Sequence, residues 1–522
     1  MAHNAPFSLP LLNTTRGLGS SNLDDLEKKE KCAVFGIWAG PYAQLSPVHS
    51  AYTALYAQQH RGQESAGIAT TDGRDGQAGI GGHTGMGLVP EVFTPRVLSA
   101  LTAGNPVASI GHNRYSTTGA SLSTNAQPLV QTTAQGRVAV AHNGNLVNAT
   151  ALRHAFGEKG HIFHTSSDTE VIIHLLAAPQ QQQAPDPLAA TLRRLQGAYS
   201  LVILFEDRIE AARDPWGWRP LVLGEMADGS PVVASETVAL DVLGAKLVRE
   251  VEPGEIITLD DQGVSSRRFA PEAKPSSMCV FEHVYFASPA SNVFGQNVQA
   301  FREDLGAALW NEDPAMRESP ADYVMPMPDS GRSAANGYSR ASGIPYREAI
   351  VPNRYVGRTF IKPTQHERET AVRLKLNVIS ELVRGKRVIV VDDSVVRGTT
   401  TRLKMRQIYE AGAAEVHLRI SCPPIRHPCY FGVDFASRDQ LIANGRTVED
   451  IREYLGVDSL HFLSLDGMLA CAKHEPGRYC TACWSGDYRI DVEHPTTDRF
   501  VEPQQERMFD MAPTPGTNGL GR

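Results

Sequence analysis

The sequence has no apolar run near the roughly 20 residues that span a bilayer, which argues against a membrane-spanning chain. It also has no secretory signal, because Leu9-Pro10-Leu11-Leu12 is short and follows no basic segment. Cysteine is scarce, at seven in 522 residues. An odd number scattered through a long chain argues against an extracellular disulfide framework. Positive charge is not in surplus either: 50 Lys and Arg stand against 57 Asp and Glu, a formal net charge of -7. That balance speaks against coating nucleic acid and leaves room for a local basic pocket. No internal repeat is present. These absences place the chain in the cytoplasm, without membrane or nucleic-acid partners.

What is there suffices for folding. A composition of 42% hydrophobic and 20% charged residues describes a folded chain, long enough for about three to four domains or for two large ones. Its texture changes three times. Residues 1–31 are polar and lack hydrophobic periodicity, as a disordered tail or a removable leader would be. Residues 32–270 carry short apolar runs split by Gly, Asn and Asp. Ala33 to Ile37, Val138 to Ala141, Ser200 to Phe205 and Glu255 to Leu259 read as strands, Asp261-Gln262-Gly263 as a hairpin turn, and Val48 to Gln59 and Thr169 to Ala178 as helices. That mixture predicts a layered α+β domain.

Residues 271–490 alternate strand and helix. Tyr323 to Met327 precedes a helix from Ser333 to Ala341, and strand Lys386 to Val391 precedes helix Thr400 to Glu410 and strand Glu415 to Ser421. Alternation of this kind predicts βαβ units and a parallel sheet. The segment 270–322 is expected to hold the domain junction, and 491–522 to be a disordered tail.

The most specific string runs from Val388 to Thr401, through Asp392-Asp393-Ser394-Val395-Val396-Arg397-Gly398-Thr399-Thr400-Thr401. A buried strand ends in two carboxylates, and a loop rich in Gly and Thr opens a helix. Ligands on parallel sheets bind beyond the carboxyl ends of strands, and a helix start offers free N–H groups to a phosphate. The carboxylates suit a ribose diol or a hard cation such as Mg²⁺; alternatively, they form an Asp-Asp turn that caps a helix. The whole string resembles the phosphoribosyl-pyrophosphate (PRPP) signature of the type I phosphoribosyltransferases. The resemblance implies that Asp392 and Asp393 are the paired acids and that Ser394, Arg397, Gly398, Thr399, Thr400 and Thr401 face PRPP. It further implies that Ser330, in Asp329-Ser330-Gly331-Arg332, joins the two acids around Mg²⁺.

Between these motifs, residues 354–387 hold nine Lys or Arg against three Glu. A charge run is usually a solvated face, but this one lies between two candidate phosphate sites, and PRPP is polyanionic. It is similar to the loop that closes over PRPP in the amidophosphoribosyltransferases, which implies PRPP contacts for Arg358 and Lys362.

The first half carries a different chemistry. Cys32 opens a strand directly after the polar leader, where a lone Cys would be a packing residue. It is followed in order by Gln58-Gln-His-Arg-Gly-Gln-Glu-Ser-Ala-Gly67, Gly111-His-Asn-Arg-Tyr-Ser-Thr117, His142-Asn-Gly-Asn145 and Ser167-Asp-Thr-Glu170. Together these resemble the class II glutamine amidotransferases, whose fold is the αββα sandwich of the N-terminal-nucleophile (Ntn) hydrolases. The resemblance implies cleavage before Cys32, so that its α-amine serves as base to its own thiol. It implies that Asn143 and the Gly144 N–H form the oxyanion hole, that Arg114 holds the glutamine carboxylate and Asp168 its ammonium group. His112 is expected to be structural rather than a base.

Cys480-Thr-Ala-Cys483 is compatible with Zn²⁺, redox work or coincidence. One subgroup of amidophosphoribosyltransferases has a cleaved leader and a [4Fe–4S] cluster, and its ligands match Cys279, Cys429, Cys480 and Cys483. Cys422 and Cys471 match no ligand and are expected to be buried thiols. The family resemblance covers Cys32 to about Ile490. It implies glutamine and PRPP as substrates, one Mg²⁺ and one cluster per subunit, a homo-oligomer, and inhibition by purine nucleotides. A glucosamine-phosphate or glutamate synthase would lack the Asp392-Asp393 string, and a purine-sensing regulator would lack the glutaminase residues.

Overall fold

The structure is a computed structural model that describes residues 32–39, 46–73, 79–115, 122–270, 275–353, 376–433 and 437–492. The expected leader, Arg358 and Lys362, and the tail from 493 lie outside the described residues.

Two antiparallel sheets form the first half. One has seven strands in the order Lys246–Glu250, Val222–Glu225, Pro231–Ala234, Ala33–Trp38, Ala108–Arg114, Ser65–Thr71 and Ile80–Met86. The other has six, in the order Gly263–Arg268, Glu255–Asp260, Ile209–Arg213, Gly197–Leu204, Gly136–Leu146 and Leu129–Thr133. Strand periodicity explains the layering. Along Ala33–Trp38, Val34 and Trp38 point between the sheets, where they meet Val202, Leu204, Ile257 and Leu259. Phe35 and Ile37 point to the other face, onto Ala51, Ala54 and Leu55 of helix Pro47–Ala57 and onto Leu240 of helix Thr237–Leu243. Leu201 and Ile203 of the second sheet pack outward on Ile172, Ile173 and Leu192 of helices Thr169–Ala177 and Pro187–Arg194. The layers are therefore helix, sheet, sheet, helix, the sandwich expected of this half.

The observed helices and strands lie within a few residues of the expected ones, with one informative exception. The strand expected at Val138 to Ala141 runs from Gly136 to Leu146. Its continuation through His142-Asn-Gly-Asn145 is polar, yet it pairs with Gly197–Leu204 in unbroken register as far as Leu146↔Gly197. Ladder hydrogen bonds hold what hydropathy alone would end.

The second half has four parallel strands in the order Tyr323–Pro326, Arg387–Asp392, Glu415–Ile420 and Ser459–Phe462. Helices Val298–Asn311, Arg332–Ser342, Thr399–Glu410 and Val448–Leu455 enclose it. Val388, Ile389, Val390 and Val391 are all fully buried, as a parallel strand covered on both faces requires. Among the described residues, no helix is long and apolar enough to cross a membrane.

The halves meet through the segment after Pro275. Ser277 N donates to Trp216 O at 2.7 Å, Cys279 N to Trp218 O at 3.2 Å, and Met278–Cys279 pairs in parallel with Tyr479–Cys480.

Candidate functional site

Cys32 lies at the head of strand Ala33–Trp38, 7% exposed, with its Sγ 3.8 Å from Tyr115 O. Burial raises the thiol pKa, the Tyr115 contact and the Arg114 charge lower it, and Glu64 and Asp168 raise it; the net result is a thiol held above its usual value. A thiol in that state is protonated at neutral pH and needs a base to become a nucleophile.

Two opposite charges flank it. Arg114, buried at the end of strand Ala108–Arg114, pairs with Glu64 at 2.5 Å. Asp168 precedes helix Thr169–Ala177 and accepts from Leu146 N at 2.9 Å, with His142 Nδ1 at 3.7 Å. Burial pushes the Asp168 pKa up, but His142 and the amides of Leu146 and Thr169 more than reverse this, so it is ionised. Glu64 sits in the Gln58–Gly67 string, where no local signal gives it a role; its carboxylate occupies the guanidinium expected to meet a substrate carboxylate.

Asn143 is 1% exposed, and its Nδ2 finds no hydrogen-bond partner among the described residues. A buried amide N–H without a partner is costly unless a ligand meets it. At Gly144 a Cβ would stand 2.0 Å from Ala198 O, so no larger residue fits there. His112 is fully buried with Nε2 3.0 Å from His142 O, and burial pushes its pKa down to about 3. It is a neutral ring facing a carbonyl.

Behind Cys32 lies a buried charge network, of which only His60 and Arg61 fall in a sequence motif, the Gln58–Gly67 string. Arg61 donates through Nε to Cys32 O at 3.2 Å, through Nη1 to Glu236, and through Nη2 to Glu282 Oε2 at 2.9 Å. Glu236 also accepts from Ser288 N at 2.9 Å and from Ser291 Oγ at 2.6 Å, with His60 Nε2 at 2.9 Å. Glu282 accepts from Arg219 Nη1 at 3.2 Å. Burial alone would raise the Glu236 pKa; His60, Arg61 and the Ser291 hydroxyl carry it far below the ordinary 4.5. A carboxyl depressed on folding contributes stability that is complete above that ordinary value and is lost as pH falls below it. Glu236→Gln is therefore expected to lower stability by about 3 kcal/mol at neutral pH, as breaking a buried pair does. The gap in Tm between variant and wild type should narrow as pH drops below 4.5, which thermal melts across a pH series measure.

In the second half, Asp392 ends strand Arg387–Asp392, and Asp392, Asp393 and Ser394 are 5%, 1% and 2% exposed. Ser330 Oγ donates to Asp392 Oδ1 at 3.2 Å, and Ser394 Oγ to Asp393 Oδ2 at 2.6 Å. The loop turns at Gly398, whose φ of +76° favours glycine and where a Cβ would lie 2.4 Å from Ile442 Cδ1. Thr399, Thr400 and Thr401 form the first turn of helix Thr399–Glu410, while Arg397 reaches Gln440 Oε1 at 2.8 Å. Arg302, buried and outside every motif of the sequence, donates to His283 O and Ala287 O. Burial pushes its pKa down to about 10, against the pull of Asp393, Glu236 and Glu282.

Among the described residues the seven cysteines form no disulfide. Cys279 and Cys480 are register partners across the Met278–Cys279 and Tyr479–Cys480 pair, and Cys429 and Cys483 lie within electrostatic reach of both. Burial, then the neighbouring thiols, push Cys480 up to about 12 and Cys483 well above its usual value. Among the described residues, no three His, Cys, Asp or Glu side chains stand close enough to hold a metal as they are. The donor types nevertheless fit: four soft thiols that influence one another electrostatically suit Zn²⁺ or [4Fe–4S], and two carboxylates with a hydroxyl suit a hard cation that keeps other oxygen ligands. Cys422 is fully buried, but Cys471 is a correction: it is only half-buried, with Sγ 3.3 Å from Gly467 O at a helix end. A cavity of about 540 Å³ lined by Arg137, Asp186, Glu206, Arg208 and Arg267 includes none of these groups.

Residues 112–242 match the family model described as a glutamine amidotransferase domain. The chain is 47% identical over 469 residues to the amidophosphoribosyltransferase of Methanothermobacter thermautotrophicus, covering 89% of this chain and 96% of that protein. It is 45% identical over 473 residues to that of Bacillus subtilis, covering 90% and 96%. Among solved structures it is similar to the B. subtilis glutamine PRPP amidotransferase complexed with ADP and GMP, with a TM-score of 0.80, 44% identity, and coverage of 89% and 99%.

Proposed function

The chain belongs to the amidophosphoribosyltransferases, and on that premise we propose that it transfers ammonia from glutamine to PRPP, yielding 5-phosphoribosylamine, glutamate and pyrophosphate for purine synthesis. The observation that carries this is the pairing, in one fold, of a buried thiol flanked by Arg114 and Asp168 with two adjacent carboxylates at the end of a parallel strand.

In the first half, Arg114 and Asp168 hold the α-carboxylate and α-ammonium of glutamine. Cys32 Sγ bonds to the side-chain amide carbon. The thiol proton passes through the Cys32 α-amine, whose reference pKa is about 7.7–8.0, to the departing ammonia. Asn143 Nδ2 and Gly144 N–H meet the oxygen as charge develops on it. Water then cleaves the thioester, releasing glutamate and restoring the thiol. In the second half, the ammonia nitrogen bonds to C1 of PRPP while the C1–O bond to pyrophosphate breaks. The Gly398 turn and the amides of Thr399, Thr400 and Thr401 seat the sugar phosphate, and Arg397 adds positive charge. Arg358 and Lys362 are proposed to close over PRPP and exclude water.

Ser330, Asp392 and Asp393 would hold Mg²⁺, which supplies neutralising charge to the pyrophosphate when bound. Cys279, Cys429, Cys480 and Cys483 would hold a [4Fe–4S] cluster as a structural link between the junction and the C-terminal segment, each thiol surrendering its proton on binding. Iron and sulfide analysis after anaerobic purification should give a cluster per chain; Zn²⁺ in its place, or no metal, overturns that assignment.

Steady-state assays omitting glutamine, PRPP and Mg²⁺ in turn test the whole reading, with pyrophosphate release expected to require each unless ammonia replaces glutamine. The active chain is proposed to begin at Cys32, with domains 32–270 and 271–490. An intact mass that retains residues 1–31 on fully glutamine-active protein would reject the cleavage. The B. subtilis relative was solved with ADP and GMP, so purine nucleotides are the proposed inhibitors here, acting on a cytoplasmic homo-oligomer.

A further inference from the structure

The strand bearing Asn143 and Gly144 is gripped from the second half of the chain. Asn145 Nδ2 donates to Tyr430 O at 2.9 Å, across 285 residues of sequence. At Gly432 an added Cβ would lie 3.0 Å from Gly144 C, 3.1 Å from Arg219 Nη2 and 3.2 Å from Gly144 O. Gly144 is therefore confined at two points, with Ala198 O close to its Cα and Gly432 close to its carbonyl, on the residue whose N–H is the proposed oxyanion donor. The gripping loop is itself fixed. Phe431 stacks on Trp218 at 4.2 Å between ring centres, its carbonyl accepts from Arg219, and its N–H donates to Cys429 Sγ at 3.4 Å. Arg219 is tied through Glu282 to Arg61, which holds the carbonyl of Cys32.

We infer that the loop 429–432, through Tyr430 O on Asn145 and Gly432 on the Gly144 carbonyl, fixes the backbone at Gly144–Asn145 and thereby aims the Gly144 N–H, so that glutamine turnover in the first half depends on a segment of the second. Oxyanion donors stabilise the transition state only when they are already in place. An offset of about 1 Å in a reacting geometry costs about 10²-fold, and a contact at 3.0 Å leaves no slack for an added methyl. Tyr430 and Gly432 are thus positioning residues: they touch no substrate and act through Gly144 and Asn145. The inference rests on the reading of Cys32 and Gly144 given above.

The test uses full-length mature protein. Gly432→Ala should lower kcat for glutamine hydrolysis about 10- to 100-fold while KM for glutamine and ammonia-dependent synthesis hold. Gly229→Ala is the control, because Gly229 has a φ of +86° against +95° at Gly432 and nothing within 4 Å of an added Cβ; it should leave glutamine kcat unchanged. Asn145→Ala removes the Tyr430 bond without left-handed strain and should lower kcat by about 3- to 10-fold with the same split, in line with one lost hydrogen bond. It decides the matter if Gly432→Ala does not fold. Wild-type glutamine kcat in both variants, with Cys32→Ala inactive, overturns the brace and leaves the nucleophile standing. A fall in ammonia-dependent synthesis equal to the fall in glutamine turnover also overturns it. Glutamine hydrolysis by Cys32→Ala would sink the underlying reading instead.

Discussion

Cys32→Ala is expected to lose glutamine-dependent synthesis completely while ammonia-dependent synthesis continues at the wild-type rate. The sulfur forms the bond that splits amide hydrolysis into two easier steps, and none of the described charged or ring groups near Cys32 replaces it: Arg114 is a cation, Asp168 is held ionised in its hydrogen bonds, and His112 faces a carbonyl. Loss of a nucleophile typically costs on the order of 10⁶-fold, which puts glutamine turnover below detection. The fold should tolerate the change. Alanine removes one sulfur at a strand start, and the backbone bond from Arg61 Nε to the Cys32 carbonyl is kept. Glutaminase and pyrophosphate-release assays with each nitrogen source read the result directly. Loss of both activities in a folded variant would count against two separate centres.

The reciprocal loss is expected when Asp392 and Asp393 are both changed to Asn. Synthesis should then fall by about 10³-fold with glutamine or ammonia alike, consistent with the loss of positioned charge around a departing pyrophosphate. Hydrolysis of glutamine at Cys32 should persist, because among the described residues none of the contacts around that thiol involves the Asp392 strand. Asn preserves volume, and the Ser330 and Ser394 hydroxyls can donate to its amide oxygen as they now donate to the carboxylates. Tm should therefore change little, so lost activity in the double variant reports chemistry rather than unfolding. Retained synthesis at the wild-type rate would remove the paired acids from the mechanism.

The phosphate site is legible in the amino-acid order because it is local, whereas the glutamine site is legible only as separate short strings, from Cys32 to Asp168, met in order. Asp392 to Thr401 is one continuous strand end, turn and helix start, and its residue types announce a phosphate cradle without reference to the rest of the chain. Period-two alternation in Ala33–Trp38 and the unbroken apolar run Val388 to Val391 likewise follow from local burial, the first facing two different cores and the second lying inside one. The strand through His142 to Asn145 is harder to recognise, because its polar residues look like a loop until the partner strand supplies their hydrogen bonds.

Amino-acid order by itself determined the alternation of elements, the turn at Gly398 and the kinds of side chain available for chemistry, since each depends on neighbours a few residues away. Tertiary structure alone decided that Arg61 would meet Glu236 and Glu282, that Glu64 would claim Arg114, and that Gly432 would press on Gly144. Charged residues and glycines are read from sequence as surface and turn, because water is their default partner. They become a buried network only when distant segments close over them together, and no local pattern records which segments those will be.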